Sequence, residues 1–497
     1  MKQKLKTFLK DHIPLVLVLV FFIALCTVNY FRSSWFDESF SSYLVRGNIF
    51  QITDATALDV HPPLYYYFLR IWALVFGNNI VALRAMSTLF GVITLIFTYL
   101  LLKRWSKSNK TATFLTFMLS LCPFFIYYSG EARMYSMSFA IIMVATYVLD
   151  FALKKRSKKY WVLYALTFVA ALYTHYFTAF AFVAHFIYII YYFKKNGFDK
   201  NFLLVYPLVV LAYIPWIPVL LNQIKAVRNG FWIPDVDFDT VVRFFTQSIA
   251  YLEFYAKEPF QLTVFCIALV AVLIGIIIVF RKCGKLSSSR ILELVLLVFV
   301  PPLVMAALSL RPNSPSVYVP RYITYSMSLL WALIGIVIVY LDKIKKILAV
   351  ILFILMATCS GIGIYNIAQS NLTRSEVEIA MAAINDMDKE ETPIIYATSS
   401  SFYFDAVYYA PENHYLYISN ITSVWGSIYP IKAYNMHYTT DPEAIIEKYG
   451  KAWIFTGEGV PDVNRALIRV NKVGDYELTQ RINYDYFTVL KIEKNEK

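Results

Sequence analysis

Three carboxylates, three arginines and two histidines stand out of an otherwise apolar chain as groups that could do chemistry. Asp37 and Glu38 are adjacent, within Trp35-Phe36-Asp37-Glu38-Ser39. A carboxylate in so amphipathic a setting can take a proton from an attacking hydroxyl or bind a metal. It can equally be a solvated acid after an apolar run. Glu131 and Arg133 share Gly130-Glu131-Ala132-Arg133-Met134-Tyr135. Together they read either as an ion pair fixing a tight turn, or as a second site acid beside an anion-binding arginine. Arg84 and Arg321 open two further apolar runs. Alone, each is a snorkelling cation. As a set of three with Arg133, their planar forks match the oxygens of a phosphate or diphosphate. His61, in His61-Pro62-Pro63, and His175, in Thr174-His175-Tyr176-Phe177, can cap helices or hydrogen-bond a sugar. Neither has metal-ligand spacing such as H-E-x-x-H. Tyr135 and Trp232 join them as candidate lining residues, Trp232 being either an interfacial belt residue or a platform for a sugar ring.

Membrane spans must position these groups. The 497 residues are 59% hydrophobic and only 16% charged, too little polar surface for a soluble protein of this length. We place about eleven spanning helices of bilayer-crossing length, with cores near 13–31, 85–102, 111–128, 135–153, 160–174, 176–193, 202–221, 259–280, 291–310, 322–341 and 347–367. The first is expected to be a retained helix, since it lacks a small-residue cleavage pattern. The net charge of +13 does not point to nucleic acid, because Lys and Arg collect in short patches between apolar runs. Half of the 46 Lys and Arg fall in 1–12, 103–110, 154–159, 194–200, 281–290 and 342–346, alongside only Asp11, Asp199 and Asp342. That bias places these connections and the N-terminus in the cytoplasm. The candidate site residues then share the opposite, outer face. Ionisable groups near a bilayer are costly, so their gathering at one depth is a functional signal.

The expected organisation is a membrane domain over 1–370, with external loops 32–84 and 222–258, followed by an extracytoplasmic α/β domain over 371–497. Pro62-Pro63 predicts a helix start, and Leu64 to Phe76 an interfacial helix. The stretch Asp239 to Tyr255 is amphipathic in the same way. In the tail, strands are predicted at 393–397, 415–418, 452–455, 475–482 and 485–493, and helices at 375–387, 402–409 and 442–449. Asn371-Leu372-Thr373 and Asn420-Ile421-Thr422 are glycosylation sequons. The five cysteines sit singly, without the paired spacing of a zinc site or a disulfide framework.

Taken in order, Asp37-Glu38, His61-Pro62-Pro63-Leu64-Tyr65, Leu83-Arg84, Gly130-Glu131-Ala132-Arg133-Met134-Tyr135 and Thr174-His175-Tyr176 resemble the GT-C membrane glycosyltransferases. The likeness is greatest to bacterial members related to the protein O-mannosyltransferases and the lipid A aminoarabinose transferase. Phe231-Trp232-Ile233-Pro234 and Pro320-Arg321-Tyr322 are similar to later signposts of that family, and the tail to its C-terminal domains. The resemblance implies a polyprenyl-phosphate sugar donor, a membrane or cell-envelope acceptor, and inverting transfer outside the cytoplasm of a bacterial cell. It makes Asp37 the base, Glu38 its assistant and Glu131 a second acid, with Arg84, Arg133 and Arg321 on the lipid phosphate. Some members use a divalent metal; nothing in this sequence requires one. The β-trefoil insert of eukaryotic O-mannosyltransferases is absent, so a protein acceptor is not implied.

The rival reading is a polytopic transporter or lipid flippase, for which Pro207, Pro215 and Pro218 inside one span speak. Transport predicts ionisable groups at mid-membrane and repeated halves. The charges here gather at the helix ends, and no internal repeat is evident.

Overall fold

The structure is a computed structural model, described over residues 2–228, 233–252, 258–283, 289–311, 315–396, 403–410, 416–419, 438–439, 441–457, 476–485 and 487–494. Trp232 and the Asn420 sequon lie outside the described residues. The chain divides into two compact units, one of residues 1–31 with 84–371, the other of 32–83 with 372–497.

The first unit is all helix. Among the described residues nine helices are long and apolar enough to cross a membrane, or ten if one bent pair is a single span. This falls below the eleven expected, although most expected cores lie on one helix each. The stretch 111–128 breaks by 72° between Asn109–Ser120 and Pro123–Ser129, where Pro123 cannot donate the backbone hydrogen bond that would continue the first helix. The helix Lys158–Thr174 has only 17 residues. Pro215 and Pro218 have a related effect within 200–228. There the span is a helix Val205–Tyr213, a 3-10 turn Ile214–Trp216 and a second helix Ile217–Arg228.

One helix organises this unit. Thr324–Ile344 is apolar or small on every side and buried along almost its whole length, as expected of a helix without a polar face. It touches six others: Asn109–Ser120, Pro123–Ser129, Tyr135–Lys155, Phe238–Ala250, Pro259–Cys283 and Ser289–Ser309. Small residues permit the approach. A Cβ on Gly335 would meet Leu115 at 2.9 Å. Hydroxyls then join the elements: Ser326 Oγ donates to the Val298 carbonyl at 2.6 Å, and Ser248 Oγ to that of Met327 at 2.6 Å. Ser248 belongs to Phe238–Ala250, the amphipathic stretch of the sequence. Its Phe244, Ile249 and Ala250 are buried, while Phe238 and Val241 are exposed. Near the basic connections, Asp150 gathers Arg104, Trp105 and Lys154 at 2.6–3.0 Å, fixing the end of Tyr135–Lys155 to that of Ile80–Ser106.

The second unit carries the α/β fold. Its six strands are β1 (Ile394–Tyr396), β2 (Leu416–Ser419), β3 (Tyr438–Thr439), β4 (Lys451–Gly457), β5 (Tyr476–Asn483) and β6 (Phe487–Lys494). They lie in the order β3-β2-β1-β4-β6-β5. The first four are parallel, and the β5-β6 hairpin adds antiparallel to β4. β1 and β4 are apolar at successive positions because parallel strands are covered on both faces. Tyr396, Phe455 and Phe487 stack on one face, while Ile395, Ile454, Leu490 and Ile492 fill the other. Asp388 closes the edge of this core. It accepts from Thr392 Oγ1 (2.9 Å), Trp453 Nε1 (3.1 Å) and the Glu390 N–H (3.1 Å), and pairs with Lys491 Nζ at 3.3 Å. Burial alone would raise its pKa, but these donors and the lysine charge hold it below the ordinary carboxylate value.

The segment 32–83, expected as an external loop, groups with this unit. It folds as helices Phe36–Leu44, Ile49–Leu58 and Leu64–Phe76. Ile49–Leu58 begins with a capping box, in which Asn48 and Gln51 each bond the other's backbone N–H. Leu64–Phe76 starts after Pro63 as the sequence predicts, burying Tyr65, Tyr66, Leu69 and Ala73 and exposing Phe68, Ile71, Leu74 and Val75. Tyr408 of the helix Tyr403–Tyr409 accepts from the Ile80 N–H at 3.1 Å, tying this segment to the C-terminal half of the unit.

Candidate active site

Within the first unit, the loop 129–134 is held from two sides. Thr88 Oγ1 donates to the Ser129 carbonyl at 2.7 Å, and Ser136 Oγ donates to that of Ser87 at 2.7 Å. Ser87 Oγ reaches the Arg133 carbonyl at 3.5 Å. Gly130 is needed for this closeness, since a Cβ there would stand 2.7 Å from Asn29 Cβ. Arg84 lies one turn before Ser87 and Thr88 on the same helix face. It is wholly buried, and its Nη1 donates to the Tyr30 carbonyl at 2.8 Å. Tyr30 in turn donates its hydroxyl to Thr88 at 2.8 Å. Glu131 and Arg133 are buried with the loop. Asn371, the first sequon, has its side-chain amide donating to the Val28 carbonyl (3.0 Å) and to Asn29 Oδ1 (3.1 Å). The nitrogen a glycan would take is thus already engaged.

An aromatic cluster follows from the loop. The Tyr135 ring stands edge-on to Tyr128 at 5.2 Å and to His175 at 5.8 Å. His175 meets Tyr322 at 5.1 Å, and Tyr322 meets Phe177 at 4.7 Å. The Arg321 guanidinium lies 5.7 Å from the Tyr322 ring centre, in cation–π range. Tyr128 is within electrostatic reach of both Glu131 and Arg321. His175 is directed here because Lys158–Thr174 ends at it in extended backbone, and its carbonyl accepts from Thr178 Oγ1 at 2.7 Å. Three expected site residues therefore converge, Tyr135, His175 and Arg321, with Glu131 within electrostatic reach through Tyr128, while Arg133 is buried in the same loop as Glu131. Tyr128 is a member that the motifs did not include, and Tyr322, quoted within Pro320-Arg321-Tyr322, is one to which they gave no role. The cluster offers the Arg321 cation, the nearby Glu131 carboxylate and several ring faces, a set suited to an anionic sugar conjugate.

Within the second unit, Asp37 and Glu38 occupy the first turn of Phe36–Leu44, where the helix N-terminus favours negative charge. Their environments differ. Glu38 is wholly buried and pairs with Arg32 Nη2 at 3.3 Å. Asp37 is half-buried, which leaves it open to a reacting group. Phe36, Phe40 and Tyr43, spaced i, i+4, i+7, form the apolar stripe of this helix and surround Phe404 at 5.1–5.7 Å. Next to Phe404 is Asp405, a third carboxyl that the sequence reading did not include. Ser39 Oγ donates to Asp405 Oδ1 at 2.6 Å. A signal was present: Phe402-Tyr403-Phe404-Asp405, like Trp35-Phe36-Asp37, sets an acid in an aromatic run. His61 pairs with Asp59 through Nδ1 at 2.9 Å. Among the described residues no three His, Cys, Asp or Glu side chains are grouped to hold a metal ion.

A family model described as dolichyl-phosphate-mannose-protein mannosyltransferase matches residues 60–221. In structure the chain is similar to ArnT from Cupriavidus metallidurans bound to undecaprenyl phosphate. The TM-score is 0.59 at 12% identity, over 95% of this chain and 97% of that one. The apo form of the same protein gives 0.58 at 11% identity with the same coverage. No curated protein matches in sequence.

Proposed function

We propose that this chain, a multi-pass membrane protein with the fold of the GT-C glycosyltransferases, transfers a sugar from a polyprenyl-phosphate donor to an acceptor hydroxyl with inversion. The carrying observation is the extent of the fold match: 95% of this chain follows a protein whose structure holds undecaprenyl phosphate. Nothing comparable favours a transporter.

In this reading Asp37 takes the proton of the acceptor hydroxyl. The new bond forms between that oxygen and the sugar C1, while the bond from C1 to the phosphate oxygen breaks. The departing lipid phosphate gains negative charge, and positive groups aimed there lower the barrier. Arg133 and Arg321 supply that charge, with Arg84 supporting the loop that carries Arg133. Glu131 orients the arginines or a sugar hydroxyl. Tyr135 and His175 offer ring faces and hydrogen bonds to the sugar, and His61 and Trp232 are assigned as further lining residues. Glu38, paired with Arg32, keeps Asp37 in place. No step calls on a metal.

The sidedness belongs to the same proposal. The basic connections lie in the cytoplasm, and the second unit faces the exterior of a bacterial plasma membrane, where a cell-envelope acceptor arrives. Purified protein in liposomes, given radiolabelled polyprenyl-phosphate sugars and an envelope acceptor fraction, should consume donor. Asp37→Asn should lower turnover by at least a hundredfold. Wild-type turnover in that variant would remove Asp37 from the role of base.

A further inference from the structure

Asp405 lies outside every motif that suggested the function, yet its side chain is bonded directly to the acidic helix through Ser39. It is buried, on the helix Tyr403–Tyr409, with the adjacent Phe404 filling the apolar stripe of Phe36–Leu44. A hydrogen-bond chain ends on it. Ser39 donates its hydroxyl to Asp405, so the Ser39 oxygen is left to accept from Ser34 Oγ at 2.8 Å. The Ser34 N–H in turn donates to the Tyr409 hydroxyl, one turn beyond Asp405. Glu38 and Asp37 both act on Asp405 electrostatically. Arg32 is nearby but is engaged by Glu38. On the third element packed here, Glu376–Met387, Glu378 accepts from Ser33 Oγ at 2.5 Å.

A buried carboxyl in the field of two acids, with Arg32 engaged by one of them, is most stable when neutral. We propose that Asp405 is a positioning residue for Asp37. As a protonated acid it anchors the acidic helix through Ser39, and it keeps a third negative charge away from the Asp37-Glu38 pair. Burial first, then the charges of Glu38 and Asp37, push its pKa up to about 8 against the hydrogen bond from Ser39. Near neutral pH the anchor holds. Above about pH 8 the proton leaves, three carboxylates face one arginine, and the helix that carries Asp37 is repelled.

This inference rests on Asp37 being the base, and its test separates the two claims. The first arm is infrared difference spectroscopy of the full chain in liposomes, wild type against Asp405→Asn. A protonated-carboxyl band should be present at neutral pH, absent from the variant, and lost in wild type as pH rises past about 8. This arm needs no turnover. The second arm is the pH profile of kcat. Wild type should decline on the alkaline side, whereas Asp405→Asn, a neutral isostere that still accepts from Ser39, should lose that decline. Its kcat at neutral pH should be within about threefold of wild type, with donor KM unchanged. Asp405→Ala, which cannot accept from Ser39, should lose tenfold or more in kcat, and rescue by Asn over Ala is the positioning signature. If the band is missing, or Asp405→Asn keeps the wild-type alkaline decline, the proposal is overturned. If the band titrates as stated but wild type consumes no donor, the transferase reading fails while the protonated Asp405 stands.

Discussion

Arg32 and Glu38 form a 3.3 Å ion pair in which the glutamate is wholly sealed from solvent, one residue after the more open Asp37. Adjacent acids of the same helix turn are therefore given different work by their surroundings. Removing one member of a buried pair strands the other charge, which typically costs about 3–5 kcal/mol. Glu38→Ala and Arg32→Ala should both lower the unfolding midpoint of the purified protein by several degrees. Asp37→Asn should leave that midpoint in place and lose turnover. Differential scanning fluorimetry beside a donor-consumption assay reads both, and an equal loss of stability in Asp37→Asn would return the two acids to one shared structural role.

The Asp405 carboxyl also leaves a mark on stability. An unfolded aspartate releases its proton near pH 4, whereas the folded one retains it to about pH 8. Between these values the unfolded chain binds fewer protons, so the second unit loses stability as pH rises, with flat regions on either side. Asp405→Asn should flatten that slope. Denaturant midpoints measured from pH 4 to 9 would show it; a slope unchanged by the substitution would mean that another group is responsible.

Asp388 behaves in the opposite sense. Its folded pKa is depressed, so its contribution is present above the unfolded carboxylate pKa and is lost as pH falls through the folded one, in acid below about pH 4. Asp388→Asn should destabilise the α/β unit at neutral pH by about 2–3 kcal/mol, the scale of hydrogen bonds to a charged group. Chemical denaturation monitored at Trp453, a donor to Asp388, reports on this site directly.

For the arginines, the expected split lies between binding and folding. Arg321→Ala should weaken binding of a polyprenyl phosphate by roughly tenfold or more with little change in melting, since its guanidinium is half-buried over Tyr322. Arg84→Ala removes a buried donor from the Tyr30 carbonyl and should lower melting as well. Lipid-phosphate titration by scintillation proximity distinguishes the two. Wild-type affinity in Arg321→Ala would make it a snorkelling cation.

Much of this was legible in the sequence, for identifiable reasons. Most predicted span cores lie on one helix each because bilayer-length apolar runs have few alternatives, the exceptions being the proline-broken 111–128 and 202–221. The strands of the tail were readable from runs such as Ala452-Trp453-Ile454-Phe455. What could not be read was any contact between distant segments. Local patterning makes 32–83 look like a loop between spans, and its grouping with the C-terminal half rests on contacts between distant residues, such as Ser39 with Asp405, 366 residues apart. The bend at Pro123 was missed because the hydropathy of 111–128 continues unbroken through it. The place of Tyr128 was hidden because, among 39 tyrosines, nothing local distinguishes it.

The discontinuity of the second unit has a consequence in time. The acidic helix is made early, but the helix bearing Phe404 and Asp405 follows some 360 residues later. At roughly 5–20 residues per second, synthesis separates the two by roughly 20–70 s. Throughout that interval Phe36, Phe40 and Tyr43 have no Phe404 to close on, and Ser39 has no carboxyl to hold it. Until the segment 403–409 has been made, the acidic helix therefore lacks the aromatic packing and the Ser39–Asp405 hydrogen bond that fix it in the finished chain.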